Sequence, residues 1–284
     1  MKYLLFFIFI YGIDLISIGQ NRYIIMDSIT QEPIPFATIK VKNKPLGFYA
    51  DDNGICEFVN MTREDSLIIS CVGYYTKLIP FSQILKNSNI TKLLPKTTTL
   101  EEVVVVSYKD KEALIDYPTS KVDQYIGSQI ALEMAYKVAI PQNRTGNEGQ
   151  IVNVKIKMKK TDSNNPCRLH IYDIGEDGMP GDELLGKDIH ITNKNISGKE
   201  FSVDLSQYNI TTSDSIIFIG MEWLGKIVAN DQYEGTRVAI THAFEEARTY
   251  TRTILDKNYQ WLLLNDIFPP HKNPANIIVS VTYK

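Results

Sequence analysis

From residue 20 to residue 96, apolar and polar positions alternate in short runs instead of recurring every three or four residues. Runs such as Ala37 to Val41 are separated by turn signals at Asp27/Ser28, Pro33, Pro45, Asp52/Asn53/Gly54 and Arg63 to Asp65. Alternation places successive side chains on opposite faces of a strand, and the turn residues end each run. Strands of about five or six residues at spacings near ~10 predict a small antiparallel sandwich. No stretch here carries a sustained helical period.

Residues 131 to 284 read the same way, through "YKVAIP", "GQIVNVKIKMKK", "CRLHIYDI", "KEFSVDL", "DSIIFIGMEWL", "RVAITHA", "YQWLLL" and "NIIVSVTYK". In "IVNVKIKMKK", Val152, Val154, Ile156 and Met158 are expected on a core face. Ile151, Asn153, Lys155, Lys157 and Lys159 are expected on the other, wet face. These segments predict a second, larger, jelly-roll-like β-sandwich, so the fold class is all-β. Residues 97 to 130, rich in threonine and charge and containing "DYPTSK", are expected to link the two units. Within that linker "TLEEVVVVSYKDK" has the β-branched content of a strand flanked by charges that guard against aggregation.

At the N-terminus, Lys2 is followed by "YLLFFIFIYGIDLISIGQ", broken by Asp14 and ending in small residues at Ser17 and Gly19. This predicts a secretory signal peptide over residues 1 to 19, cleaved near Gly19/Gln20. The run is shorter than the roughly 20 apolar residues of a membrane-spanning helix, and Asp14 would be costly in lipid. No later run reaches spanning length, so no transmembrane span is expected once the signal is removed. The expected location is the periplasm, the outer-membrane surface or the extracellular space. Thirty basic and thirty-three acidic residues give a net charge of -3, and losing Lys2 and Asp14 leaves that balance unchanged. Nucleic acid is not an expected partner.

Three cysteines, Cys56, Cys71 and Cys167, are too few and too irregular for a disulfide scaffold or a zinc cluster. Cys56 shares a strand face with Phe58, and Cys71 with Leu67 and Ile69, so both thiols are expected in one core. Buried small hydrophobes are the expectation, although export also permits a Cys56–Cys71 disulfide, with Cys167 unpaired either way. The "HAFE" of His242 to Glu245, with His271 downstream, matches a short zinc pattern but lacks a properly spaced third ligand. His170 and His190 fall within strands. Asp173, Glu176, Asp177, Asp182 and Glu183 crowd a Gly-rich turn, read as a solvated acidic loop with weak calcium binding as the alternative. Trp223 and Trp261 are expected in cores, whereas Tyr233 and Tyr250 are expected to be exposed.

Three ordered motifs carry a family resemblance. Thr30, Gln31, Glu32 and Pro33 precede the second strand, Asn53/Gly54 form a turn, and Ser70, Gly73 and Tyr74 close the segment. The chain from 20 to 96 resembles the carboxypeptidase regulatory-like domain of Bacteroidetes-type envelope proteins, with Gln31 where that family usually has glycine. The resemblance implies a transthyretin-like sandwich with an accessory role. Beyond it, Leu100, Glu101, Glu102 and Val103 to Val106 resemble the TonB box that follows such domains in outer-membrane receptors. The roughly 150 residues of the last region are too few for a plug and a barrel whose strands need about 9 to 11 residues each. The segment is therefore expected to be a structural strand or tether. The last region also resembles the β-sandwich partner domains that follow regulatory-like domains in envelope proteins.

No nucleophile elbow, phosphate loop or dinucleotide fingerprint occurs in the sequence. The expected function is a non-catalytic binding or assembly module of the cell envelope, with no cofactor and with an envelope protein or a glycan as partner. The alternative is a hydrolase or metal-dependent enzyme built on the second sandwich. No individual catalytic, metal or ligand-binding residue is assigned from sequence.

Overall fold

The computed structural model describes residues 22–96, 113–115, 121–127, 131–140, 149–161, 165–225, 236–268 and 272–284. The signal segment, the valine run of the linker, Tyr233 and His271 lie outside the described residues.

The first sandwich contains β1 (Arg22–Asp27), β2 (Thr38–Val41), β3 (Gly47–Tyr49), β4 (Ile55–Glu57), β5 (Ser66–Ser70), β6 (Lys77–Pro80) and β7 (Ile90–Leu93). A three-stranded sheet, β4-β1-β7, faces a four-stranded sheet, β3-β2-β5-β6. Between them Tyr23, Ile25, Ile39, Leu67, Ile69 and Leu93 are buried, as their alternation requires.

Two features depart from the sequence reading. β7 runs parallel to β1, with Ile24 opposite Ile90 and Asp27 opposite Leu93. The chain reaches it through a short helix, α1 (Phe81–Lys86), which crosses from one sheet to the other and buries Phe81 and Ile84. Six residues are too few to show a helical period, so the pattern passed over α1.

The second sandwich packs a seven-stranded sheet on a nine-stranded one. The seven-stranded sheet runs through Pro180–Glu183, Cys167–Ile174, Ile216–Trp223, Leu132–Ala139, Thr249–Thr253 and Leu262–Leu263. The Gly149–Lys159 strand is central to the other sheet. Its alternation is interrupted: Val154, Ile156 and Met158 are in the core as expected, but so is Ile151, while Val152 is not. An irregularity in the pairing between Ile151 and Asn153 adds a residue, and one extra residue flips every side chain beyond it to the other face.

The sandwiches meet face to face. Along Cys167–Ile174, the side chains of Cys167, Leu169 and Ile171 enter the second core, while Arg168, His170 and Tyr172 point outward. That outer face would be solvated in an isolated sandwich. Here it lies against the outer face of β2 and β3, where Thr38 and Tyr49 reach across to it. The closing motif of the first sandwich is part of this contact: Val72 packs into the second core, and Gly73, at φ +84°, lies against the carbonyl oxygen of Gly186. A Cβ at Gly73 would sit 2.7 Å from that oxygen, so glycine is required there for space as well as for its positive φ.

Candidate functional site

The seam between the sandwiches is built from a cross-strand ladder. Arg168 stands opposite Glu222, Glu222 opposite Glu133, and Glu133 opposite Arg252 on four successive strands. Arg168 binds Glu222 through Nη1 at 2.9 Å and Asp188 through Nε and Nη2 at 2.8 and 3.1 Å. It also donates to the first sandwich, to the Phe36 carbonyl at 2.7 Å and Thr38 Oγ1 at 3.1 Å. Tyr49 Oη donates to Glu222 Oε1 at 2.9 Å. Every donor direction of the planar guanidinium is matched, which is what allows a buried arginine.

His170 lies in the same layer, with Nδ1 2.6 Å from Glu183 and Nε2 3.3 Å from Glu222. Its ring stacks on Tyr172 at 5.2 Å. Gly220 makes room for the two rings, since a Cβ there would meet His170 Cβ at 3.0 Å and the Tyr172 ring at 3.2 Å.

At the far end of the ladder, Arg252 donates to Glu133 at 2.7 Å and to Tyr172 Oη at 3.1 Å. Its guanidinium lies over the rings of Trp261 and Tyr259 at 4.2 and 4.5 Å, a cation–π arrangement that shields the charge from solvent.

His170, Glu222 and Asp188 are held ionised by their neighbours. Burial works against a charged His170, but Glu133 and Glu183 together with the bonds to Glu183 and Glu222 overcome it and raise the pKa to about 10. Burial likewise pushes Glu222 up, and His170 and Arg168 pull it down to about 2. Asp188 also resists burial and is held well below the usual carboxylate range by Arg168 and His190. Burial raises the thiol of Cys71, beside Arg168 and Asp188, to about 12.

Next to the seam a cleft of about 530 Å³ opens between the sandwiches. Phe36, Phe48, Tyr49, Ile55 and Val59 line it, Asp51, Asp52 and Glu57 also line it, and Asn165, Pro166 and Gly225 form the wall contributed by the second sandwich.

The three cysteines are free and buried, so the Cys56–Cys71 alternative is corrected. Both thiols do belong to the first core, but Cys71 Sγ sits 3.4 Å from Asp188 across the seam. His242 is 3.2 Å from Asp123 through Nδ1, and Glu245 is exposed. His190 pairs with Asp188 at 3.0 Å. In the acidic turn, Asp173 and Asp177 accept backbone hydrogen bonds from Asp182 and Met179. Glu183 instead turns inward to His170 and to the amides of Ile171 and Leu185.

Trp223 is in the core, with Nε1 donating to the Thr236 carbonyl at 2.7 Å. Trp261 is half-buried under Arg252. Tyr250, expected outside, is buried against Phe218 on the covered face of the seven-stranded sheet. The sequence reading missed Arg168, Glu222, Glu133 and Arg252. The available signal was single charges at outward positions of otherwise apolar strands, of opposite sign on different strands.

Residues 24–105 match the family model of the CarboxypepD_reg-like domain. The match covers the first sandwich and runs into the valine segment. No curated protein matches the sequence. Among solved structures, the clostridial cysteine protease Cwp84 after propeptide cleavage is similar at a TM-score of 0.43 and 11% identity, over 87% of this chain and 65% of that one. The chain thus spans just under two thirds of that protein's length. No helix among the described residues is long and apolar enough to cross a membrane, which leaves strand-built barrels aside.

Proposed function

We propose that the protein is an exported cell-envelope accessory protein, a non-catalytic module that binds or assembles with a partner. The observation that carries this reading is the commitment of the chemistry-bearing side chains. His170, Glu183, Glu222 and Asp188, the groups a hydrolase would need free, are locked to one another and to Arg168 in the seam. A general base must reach a substrate proton, and a ring with both nitrogens bound to buried carboxylates does not.

The regulatory-like domain at residues 24–105 supports an accessory role in envelopes of the Bacteroidetes type. The apolar N-terminal run supports export. The TonB-box-like segment, Leu100 to Lys111, is assigned the role of a tether between the sandwiches. The test is cross-linking and affinity capture of the mature protein from its own envelope fraction, with a peptidase and glycosidase panel run in parallel. Stoichiometric capture of a defined partner without turnover is expected. Turnover abolished by a substitution in the seam that leaves the fold intact would overturn the reading.

A further inference from the structure

At the end of the first sandwich, residues 73–75 run antiparallel to residues 94–96. Tyr75 N–H donates to the Leu94 carbonyl at 2.9 Å and Lys96 N–H to the Gly73 carbonyl at 2.8 Å, on either side of the Tyr74–Pro95 bridge. This register sets Tyr75 opposite Leu94 and Gly73 opposite Lys96. Leu93 points into the core, so alternation turns Lys92, Leu94 and Lys96 outward on one face, together with Tyr75. Tyr75 and Leu94 are 53% and 54% exposed. Lys77 joins them through its ammonium, which donates to the Lys92 carbonyl at 2.9 Å. At the Gly73 end, Lys187 of the second sandwich comes in, with its Cα 4.0 Å from where a Gly73 Cβ would stand. We propose, resting on the cell-envelope reading, that this face seats the protein on an anionic lipid surface. Tyr75 and Leu94 enter the headgroup layer, and Lys77, Lys92, Lys96 and Lys187 meet lipid phosphates.

The charges on the face are of one sign. None of the four lysines pairs with a carboxylate among the described residues: Lys92 meets the side-chain oxygen of Gln31 and Lys77 a backbone carbonyl, neutral groups that leave the ammonium charges unbalanced. The neighbouring carboxylates are turned away. Asp27 accepts from Tyr74 and from the amides of its own turn, and Asp188 is held by Arg168 and His190. The backbone of Glu32 bonds Asp27 on the side of β1 opposite β7. The whole chain carries -3, so a local group of four cations orients the molecule on a negative surface. Shape favours lipid over a peptide. The strand through residues 90–96 is bonded to β1 on one side and to residues 73–75 on the other, so it offers no edge for strand addition. None of these residues lines the cleft. An apolar and aromatic centre with a lysine rim matches the layered polarity of a bilayer surface, where tyrosine sits at headgroup level and lysine stems reach past apolar contacts to phosphate.

The experiment sediments the mature full-length chain with vesicles of phosphatidylcholine and phosphatidylglycerol in equal parts, with phosphatidylcholine vesicles and soluble polyglutamate as comparisons. Binding to the mixed vesicles is expected, weakening at least ~10-fold with added salt and in Lys92→Glu/Lys96→Glu. Tyr75→Ser/Leu94→Ser should weaken it while keeping the salt dependence. An environment-sensitive fluorophore on Leu94→Cys is expected to shift toward its apolar emission on the mixed vesicles, and the three native thiols are buried, which directs the label to this residue. No binding to the mixed vesicles, equal binding to phosphatidylcholine alone, an unchanged label, or undiminished binding of the lysine variant overturns the proposal. Polyglutamate binding without vesicle binding overturns it too, while leaving the binding-module reading standing. Hydrolysis of the lipid would overturn this proposal and the non-catalytic reading together.

Discussion

Arg168 and Glu222 face each other on adjacent strands at 2.9 Å, at 1% and 3% exposure, on a face that is buried only because the first sandwich covers it. The pair therefore belongs to the contact between sandwiches as much as to the second sandwich. Removing one partner leaves the other charge buried and unmatched, which costs about 3 to 5 kcal/mol. Arg168→Met is expected to lower stability by that order in chemical denaturation, because Glu222 and Asp188 both lose their arginine. Adding Glu222→Leu should regain part of the loss, since an apolar pair is less costly than an orphaned charge.

The same layer sets the pH response. His170 keeps its proton up to about 10 in the folded state, against an ordinary value near 6.5 when unfolded. Its contribution is complete below that ordinary value and is lost as pH rises through the folded one. Denaturation between pH 7 and 10 should show stability falling by up to about 1.4 kcal/mol per pH unit, with the slope reduced in His170→Gln. Glu222 acts at the other end: its folded value of about 2 lies below the ordinary 4.5, so its contribution is present above 4.5 and lost as pH falls toward 2. A flat profile across both windows would contradict the ionic account of the seam.

Gln31 occupies φ +60° in the turn that the related domains fill with glycine. A residue with a Cβ is disfavoured there, and the Gln31 side chain is exposed, so its bonds to Ser28 and Lys92 return little. Gln31→Gly is expected to stabilise the protein by about 0.5 to 1 kcal/mol, less the entropy glycine adds to the unfolded chain. Thermal unfolding of the two proteins checks it, and a lower melting point for the glycine variant would count against the assigned strain.

Much of the fold was legible from sequence because alternation survives in most strands: Val154, Ile156 and Met158 point inward, as do Ile217, Ile219, Met221 and Trp223. The failures have local causes. The bulge at Val152 moved Ile151 into the core, and nothing in the residue types announces a bulge. Tyr250 looked exposed among threonines and arginines, but Thr249 and Thr251 are themselves buried and the Tyr250 ring packs on Phe218. The seam was hidden for the same reason. In sequence Arg168, His170 and Glu222 are isolated polar residues of apolar strands, and only the cross-strand register and the docking of β2 and β3 show them opposed and dry. Register depends on the turns and bulges of every intervening strand, so it cannot be counted off one segment.

The "HAFE" segment is expected to leave the protein without stoichiometric zinc. His242 is oriented by Asp123, which accepts from its backbone N–H at 2.6 Å and contacts Nδ1, while Glu245 is exposed. Elemental analysis after mild dialysis checks this. One tightly held zinc that disappears in His242→Ala would reverse it.

The linker and the seam together lead to a further expectation. Residues 97 to 130 are expected to join two units that each have their own apolar core, one centred on Tyr23, Ile39 and Leu67 and the other on Val154, Leu169 and Ile219, with Ala113–Ile115 and Gln124–Ile126 already paired to the Val279–Tyr283 and Arg237–Thr241 strands of the second. Limited proteolysis is expected to cut within 97 to 130 and leave two resistant fragments. The fragments should nevertheless stay together. Val72 is anchored in the second core, Gly73 is against Gly186, and Tyr49, Leu224 and Ile254 form a small apolar cluster across the seam beside the Arg168 network. Size-exclusion chromatography of the nicked protein at pH 7 should therefore give one peak containing both fragments. Raising the pH through 10, where His170 loses its proton, should favour their separation. Arg168→Met should make the nicked pair come apart already at pH 7. If the wild-type fragments elute separately at pH 7, the seam does not hold the sandwiches together. If the cuts fall within residues 20 to 96 instead, the boundary between the two units is misplaced.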